Sequence, residues 1–433
     1  MIASLKMTAR NKNWQTAIIW MAVFAVLIRL VVSAEYVHTM DTRWFRTWVM
    51  GSQEGLFDMY ARAESISLDY PPLYLYPLWL LGQIYRLFPV ILDYTPYDLL
   101  ALKFFGILAD VGCAMFIYLI FRNRHFPIAV IGFCAWLFNP ALFFNSAMWG
   151  QIDSLMCLLL LASFYMLDRG RPYWGVILFA VGGLTKFQCL YLAPLVLIIL
   201  FRKFGLARFL RAMGAAALTV FAAFLPFMIG SRSPLLVFEV YLNGGGSYPY
   251  YTLHAANLYG LLGLNWTTNL RDTAPLLGPI TGFHISMALT VLIMAGVVLL
   301  YVYGKRKNTW MYGLLLMNSL FMLTTRMHER YQVVVLPFAL MLWLTTRERA
   351  FLHQFGALTI TAFLTQFMAL MYNVHRDAPW LPVYETLFCI LSAFSLLIFV
   401  VSTVYCVRWC LGRGGSAVLP DSQLAEENQL AEE

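Results

Sequence analysis

Apolar runs separated by short polar gaps recur along nearly the whole chain. Many approach about 20 residues, the helical length needed to cross ~30 Å of hydrocarbon. Twelve segments are expected to be helical spans: roughly 15–34, 98–121, 127–145, 154–167, 174–185, 187–201, 213–230, 283–303, 309–324, 331–346, 354–372 and 383–406. The pattern predicts an all-α polytopic membrane protein. It places a single transmembrane domain over 1–411, with no separate soluble domain, and a disordered cytoplasmic tail over 412–433.

The gaps alternate in character. One set is basic: Lys6/Arg10/Lys12, Arg122/Arg124, Arg169/Arg171, Arg202/Lys203/Arg208/Arg211, Lys305/Arg306/Lys307, Arg347/Arg349 and Arg408/Arg413. These hold 18 of the 30 Lys and Arg, opposed before the tail only by Asp168 and Glu348. By the positive-inside rule they are cytoplasmic, as are both termini. The loops 35–97, 146–153, a tight turn near 186, 231–282, 325–330 and 373–382 then face the other side, and most remaining carboxylates lie there.

Two of these outer loops are long. Loop 35–97 is expected to contain helices lying in the membrane interface. Trp44, Phe45, Trp48 and Val49 form an apolar stripe there, with Arg43 and Arg46 opposite. Loop 231–282 is rich in Gly, Tyr, Pro and Asn. Its Gly244-Gly245-Gly246 has no preceding strand and no following GK[ST], so it reads as a flexible lid rather than a phosphate loop. Asn265-Trp266-Thr267 is a glycosylation sequon on the same face.

Composition narrows the function. The chain is 61% hydrophobic and 12% charged, about half the charged share of a soluble domain. A net charge of +8 would suit nucleic acid, but the cations sit in short loops between spans, so no nucleic-acid partner is expected. The seven cysteines lie in or near spans and imply no disulfide framework. Cys406 and Cys410 are juxtamembrane candidates for acylation. Met1–Trp14 is too polar and basic for a signal peptide, so the first span is expected to be retained. Gln-Leu-Ala-Glu-Glu occurs twice, at 423–427 and 429–433. No other internal repeat supports the inverted repeats of many transporters.

Five polar groups converge on the outer face. They are Asp41; Asp69 at the head of Asp69-Tyr70-Pro71-Pro72-Leu73; Trp149-Gly150-Gln151-Ile152-Asp153; Lys186 with Gln188; and Arg326-Met327-His328-Glu329-Arg330-Tyr331. This set suits transfer of a sugar from a lipid phosphate. A carboxylate is an adequate general base for the acceptor hydroxyl when the leaving group is good. Asp41 and Asp69 are the candidates. Lys186, Arg326, His328 and Arg330 would stabilise charge developing on the donor phosphate. Tyr70, Trp149, Gln151, Asp153 and Glu329 would contact sugar or acceptor. The two prolines stiffen the backbone beside Tyr70 and so hold Asp69.

Simpler roles exist for each. Asp41 and Asp153 also read as helix N-caps, Asp69 as a loop-orienting residue, and Lys186 as a lysine snorkelling out of the bilayer. His328 and Glu329 also read as interfacial polar residues. Asp110 lies within an apolar span; Lys103 is a poor partner for it, so a partner on another helix is expected. Asp93, Asp98 and His375–Asp377 read as solvated loop residues. Asp41 and Asp69 are available to a divalent ion, but no tight His/Asp spacing argues for one. No cofactor is expected.

The Asp-Tyr-Pro-Pro motif, the acid just after span one and Met327-His328-Glu329-Arg330 between late spans resemble the GT-C superfamily of polyprenyl-phosphate-sugar glycosyltransferases. The resemblance runs from span one to about residue 331. It is strongest to dolichyl-phosphate-glucose α-1,3-glucosyltransferases and to mannosyltransferases of the GPI second-mannose type. It implies a GT-C-like fold and an inverting, usually metal-independent hexose transfer on the non-cytoplasmic face. The donor would be a polyprenyl-phosphate-linked sugar, the acceptor a glycan, lipid or protein, and the setting a lipid bilayer. It maps the base onto Asp41, a second site carboxylate onto Asp69, and a group near phosphate or acceptor onto His328. The chain departs in having a single acid at 41 and Arg330-Tyr331 after His-Glu.

A twelve-span transporter would instead place charges near the midplane. Here they gather at one face, Arg29 and Asp110 excepted. A ligase or flippase for lipid-linked glycans would share the basic groups without requiring Asp41. Compact loops and the lack of an evident endoplasmic-reticulum retrieval signal favour a bacterial plasma membrane. In a eukaryote the endoplasmic reticulum is expected.

Overall fold

A computed structural model describes residues 2–88, 95–233, 235–243, 248–374 and 381–413. Helices dominate: α1 (Ile2–Glu35), α2 (Thr39–Glu54), α3 (Pro72–Leu87), α4 (Pro96–Phe121), α5 (Phe126–Leu137) and α6 (Pro140–Phe143), which runs into a π-helical turn at Phe144–Trp149. Then follow α7 (Asp153–Asp168), α8 (Pro172–Thr185), α9 (Ala193–Gly230), α10 (Leu236–Asn243), α11 (Leu258–Leu261), α12 (Gly282–Tyr303), α13 (Thr309–Leu323), α14 (Leu336–Thr346), α15 (Arg349–Val374) and α16 (Leu381–Cys410). Proline takes the first or second position in α3, α4, α5, α6, α8, α9 and α14. Its missing N–H costs nothing there and its fixed φ suits the first turn.

All twelve predicted spans are helical. Six described helices are long and apolar enough to cross a membrane alone, and seven if α5 and the α6–π segment count as one span bent by 41°. The bend falls at Asn139-Pro140, where Asn139 Oδ1 accepts from the Ala141 N–H at 3.0 Å and caps the new helix. The helices outside these are shorter, and one of the six, α9, is too long for a single crossing. At 38 residues, α9 would measure about 57 Å if straight, nearly twice the hydrocarbon thickness. Gly205 interrupts it at φ 77°, ψ 168°. Tyr191, just before α9, lines the same cavity as Asp41. A Cβ on Gly230, at its far end, would strike the Phe57 carbonyl of the first long loop. Lys203, beside the break, donates to the Leu167 and Asp168 carbonyls at 2.8 and 3.0 Å on the basic face. The chain therefore reverses at Gly205, and α9 is two crossings.

The core runs through α4, α5, α7, α8, α13 and α14. Residues 309–322 of α13 are buried on every side, as expected of a helix apolar all round. In contrast, α1, the second arm of α9, α12 and α16 expose Trp20, Leu218, Val291 and Ile390 among other large apolar groups, the composition of a lipid-facing surface. Asp110 has its partner on another helix, as expected. Arg29 Nε reaches its carboxylate at 3.0 Å, Ser146 Oγ donates at 2.5 Å, and Ser154 also donates. Such saturation is what makes a buried pair tolerable at membrane depth.

Among the described residues there are also four short strands: β1 (Thr252–Leu253), β2 (Pro275–Leu277), β3 (Ile280–Thr281) and β4 (Met327–His328). Parallel pairing of β1 with β4 sets Leu253 opposite His328 and ties the second long loop to the loop before α14.

Several expectations change. The stripe of α2 packs on protein: Phe45, Trp48 and Val49 are buried with Tyr74, Leu75 and Leu78 of α3. Asp98 is not solvated; it is fully buried, accepts from Tyr85 at 2.5 Å and lies 3.8 Å from Arg46. Cys406 and Cys410 are fully buried, so neither offers a thiol for acylation. Asn265 of the sequon turns inward, its Oδ1 accepting from the His254 N–H at 2.8 Å. Asp93, Gly244–Gly246, His375–Asp377 and 414–433 lie outside the described residues.

Candidate active site

The first long loop and five other segments enclose a cavity of about 310 Å³. Eight of the eleven predicted site residues line it: Asp41, Asp69, Tyr70, Gln151, Lys186, Arg326, His328 and Arg330.

Asp41 sits in the first turn of α2 and is not its cap. His38 is the N-cap, its Nδ1 accepting from the Asp41 N–H at 3.3 Å. Asp41 Oδ2 accepts from Trp149 Nε1 at 2.7 Å and from Gln151 Nε2, with Arg330 Nη1 3.7 Å away. Burial pushes this carboxyl up, but Arg330 and His38 outweigh it and hold it well below the usual range. Asp41 is thus ionised at neutral pH.

Asp69 precedes α3, whose first residue is Pro72. Its loop is clamped from behind. Trp48 Nε1 donates to the Ile66 carbonyl at 3.0 Å, Tyr60 to the Tyr70 carbonyl at 2.9 Å, and the Tyr70 ring meets Phe45 and Trp48 at 5.5 and 5.0 Å. Burial lifts Asp69 to about 6, with Arg330 opposing and Asp41 adding to the rise. Two carboxylates in one pocket are therefore driven apart in acidity, a pattern of acid–base sites.

Each cation has a carboxylate of its own. Lys186 is ion-paired to Asp153, which overturns the snorkelling reading; burial pulls its pKa down while Asp153 opposes. Arg326 is held by Asp272 through Nε at 2.6 Å and Nη2 at 3.0 Å, and its guanidinium lies 4.0 Å over the Phe283 ring. Arg330 Nη1 bonds Glu329 at 2.7 Å, and Glu329 titrates at about 2: burial raises it, and Arg330 prevails. The Arg330 Nε is buried and meets no acceptor among the described residues. His328 does not join the cations. Burial and Arg330 lower its pKa, so it is a neutral donor or acceptor at pH 7.

Three predicted contacts lie behind the wall. Trp149 is 1% exposed, stacks on His38 at 4.3 Å and serves Asp41. Asp153 is fully buried against Lys186 and Asn145; Ile152, not Asp153, is the N-cap of α7. Glu329 is 3% exposed behind Arg330. Gln151 links the two halves: its Oε1 takes Lys186 at 3.3 Å and Tyr70 at 3.4 Å while its amide donates to Asp41. Asp272 and the cap His38 went unread, because no motif marks a lone acid in a long loop or a histidine before a helix. The cavity also has an arm along Phe283, Ser286, Met287 and Thr290 of α12 and Leu320 of α13. Among the described residues, no group of three or more His, Cys, Asp or Glu side chains is placed to hold a metal ion.

These features define an integral, multi-pass membrane protein with a pocket lined by carboxylates and cations. The profile of the ALG6, ALG8 glycosyltransferase family matches residues 25–239, a stretch that contains Asp41, Asp69, Gln151 and Lys186. That match supports a place in the GT-C superfamily of polyprenyl-phosphate-sugar glycosyltransferases. A crystal structure of ArnT from Cupriavidus metallidurans bound to undecaprenyl phosphate is similar over 92% of this chain and 78% of that one, at 11% identity and a TM-score of 0.46. No curated protein sequence matches.

Proposed function

We propose that this protein transfers a hexose, mannose or glucose, from a polyprenyl-phosphate-linked donor to a lipid-linked glycan or other acceptor. Transfer takes place on the non-cytoplasmic face, with both termini cytoplasmic as the alternating Lys/Arg distribution requires, and a bacterial plasma membrane is the favoured setting. Asp41 takes the proton from the acceptor hydroxyl. The oxygen attacks the anomeric carbon in a single displacement, inverting it. The bond from that carbon to the phosphate oxygen breaks, and polyprenyl phosphate leaves with the electron pair. Arg330, assisted by Lys186 and Arg326, meets the phosphate; His328 and Asp69 line the reacting region; Tyr70 and Gln151 contact the sugar.

The observation that carries this reading is Arg330, which lines the cavity beside Asp41 and whose buried Nε meets no acceptor among the described residues. A guanidinium with a spare N–H is what an incoming phosphate oxygen needs. The apolar arm along α12 supports a lipid-borne donor, since Met287 is 49% and Val291 61% exposed on the same helix. The test is mass spectrometry of lipid-linked and surface glycans from a deletion strain complemented with wild type or Asp41→Asn. The deletion should lack one hexose, restored by wild type but not by Asp41→Asn, with the variant protein present in the membrane. Unchanged glycans throughout would sink the proposal.

A further inference from the structure

Lys103 lies on α4 and is 1% exposed. Among the described residues no carboxylate pairs with it. Its ammonium is instead surrounded by backbone: Nζ donates to the carbonyls of Ser33 at 2.9 Å, Ala147 at 2.9 Å and Met148 at 3.3 Å, and to that of Tyr36. These four acceptors come from two stretches of chain. Ser33 and Tyr36 end α1 and lead into His38 and Asp41. Ala147 and Met148 end the π turn and lead into Trp149 and Gln151, the two donors to Asp41.

The lysine stem meets the same junction. A Cβ on Gly150 would sit 3.3 Å from both Cγ and Cε of Lys103 and 3.4 Å from Thr42 Cγ2. Gly150 has φ +94°, which glycine alone adopts without strain. Between the stretches themselves, the described links are one long backbone bond, His38 N to Trp149 O at 3.4 Å, the His38–Trp149 stack, the Ser33 Oγ bond to the Ala147 carbonyl, and the bonds to Asp41. One amino group shared among carbonyls of both stretches adds a tie that none of these supplies.

We infer that Lys103 is a positioning residue for Asp41: by binding carbonyls of both stretches, it fixes the carboxylate against Trp149 and Gln151. This rests on the reading of Asp41 as the base. The competing account is that Lys103 only satisfies carbonyls left open at two helix ends. The two differ in turnover. A loosened junction displaces Asp41, and misplacement by about 1 Å costs on the order of 100-fold in rate, whereas filling helix ends affects only how much protein folds.

The experiment uses membranes containing the full chain, synthetic polyprenyl-phosphate-glucose or -mannose as donor, and lipids extracted from the deletion strain as acceptor. Rates per folded protein are measured against donor concentration for wild type, Lys103→Met, Lys103→Arg, Asp41→Asn and Lys203→Met. Lys203 also donates to two backbone carbonyls, but on the far face, and is the structural control. Lys103→Met should lower kcat about 10- to 100-fold with donor KM within about twofold. Lys103→Arg should restore part of the loss, and Lys203→Met should match wild type. If Lys103→Met does not accumulate, Lys103→Gln is read in the same way. A wild-type kcat in the Lys103 variant alongside a dead Asp41→Asn overturns the positioning role alone. An active Asp41→Asn overturns the base assignment, and the positioning role with it.

Discussion

Asp69→Asn should stabilise the protein while disabling it. Asp69 titrates at about 6 in the folded chain, against ~3.9 for an unfolded aspartate. Between those values the folded state binds more protons than the unfolded state, so stability falls as pH rises through the window and levels off above it. The full shift of about 2 units corresponds to about 3 kcal/mol at 1.36 kcal/mol per unit. Asp69 is only partly buried, and solvent screening reduces this to roughly 1–3 kcal/mol. Asparagine carries no charge, so the penalty vanishes. The assay is the apparent unfolding midpoint in detergent from pH 4 to 8. Wild type and Asp69→Asn should nearly coincide near pH 4 and diverge towards pH 7, with the variant higher. Asp41→Asn supplies the opposite sign. Its folded pKa is depressed, so its charge contributes stability that is present at neutral pH and lost in acid, and the variant should melt lower at pH 7. Shifts of the same sign for both variants, or a pH-independent gap for Asp69→Asn, would refute the electrostatic reasoning.

Arg330→Met leaves Glu329 without the cation that holds it at about 2 and removes the nearest guanidinium from Asp41. A loss of roughly 3–5 kcal/mol is expected, measured as the unfolding midpoint, and the deficit should shrink in acid as the stranded carboxylates protonate. Gly230→Ala drives a methyl into the Phe57 carbonyl and should cost about 1–3 kcal/mol. Gly214→Ala has open space at the same atom and should melt with wild type.

The bundle was legible because apolar length and alternating Lys/Arg gaps report on the membrane directly, and no long-range contact is needed to read them. That is why segments as short as 174–185 were recognisable, although length alone would discard them. The face bearing Asp41, Asp69, Lys186 and His328 followed from the same alternation. Depth did not. Trp149, Asp153 and Glu329 share that face with the lining residues, but only packing decides which side chain meets the cavity and which stands behind another. The stripe of α2 failed for a related reason: an apolar face fits a bilayer and the Tyr74-Leu75-Leu78 side of α3 equally well. Asp272 pairs with a residue 54 positions away, a relation that local spacing does not encode.

The reversal at Gly205 bears on how the chain is made. Because α9 turns back without a loop, its two arms are joined by a single non-helical residue. Neither arm can settle across the bilayer while the other waits outside, so the pair must leave the insertion machinery together as one hairpin. Arg202, Lys203, Arg208 and Arg211 flank the bend, and in the proposed orientation they are the charge that keeps it on the side of synthesis.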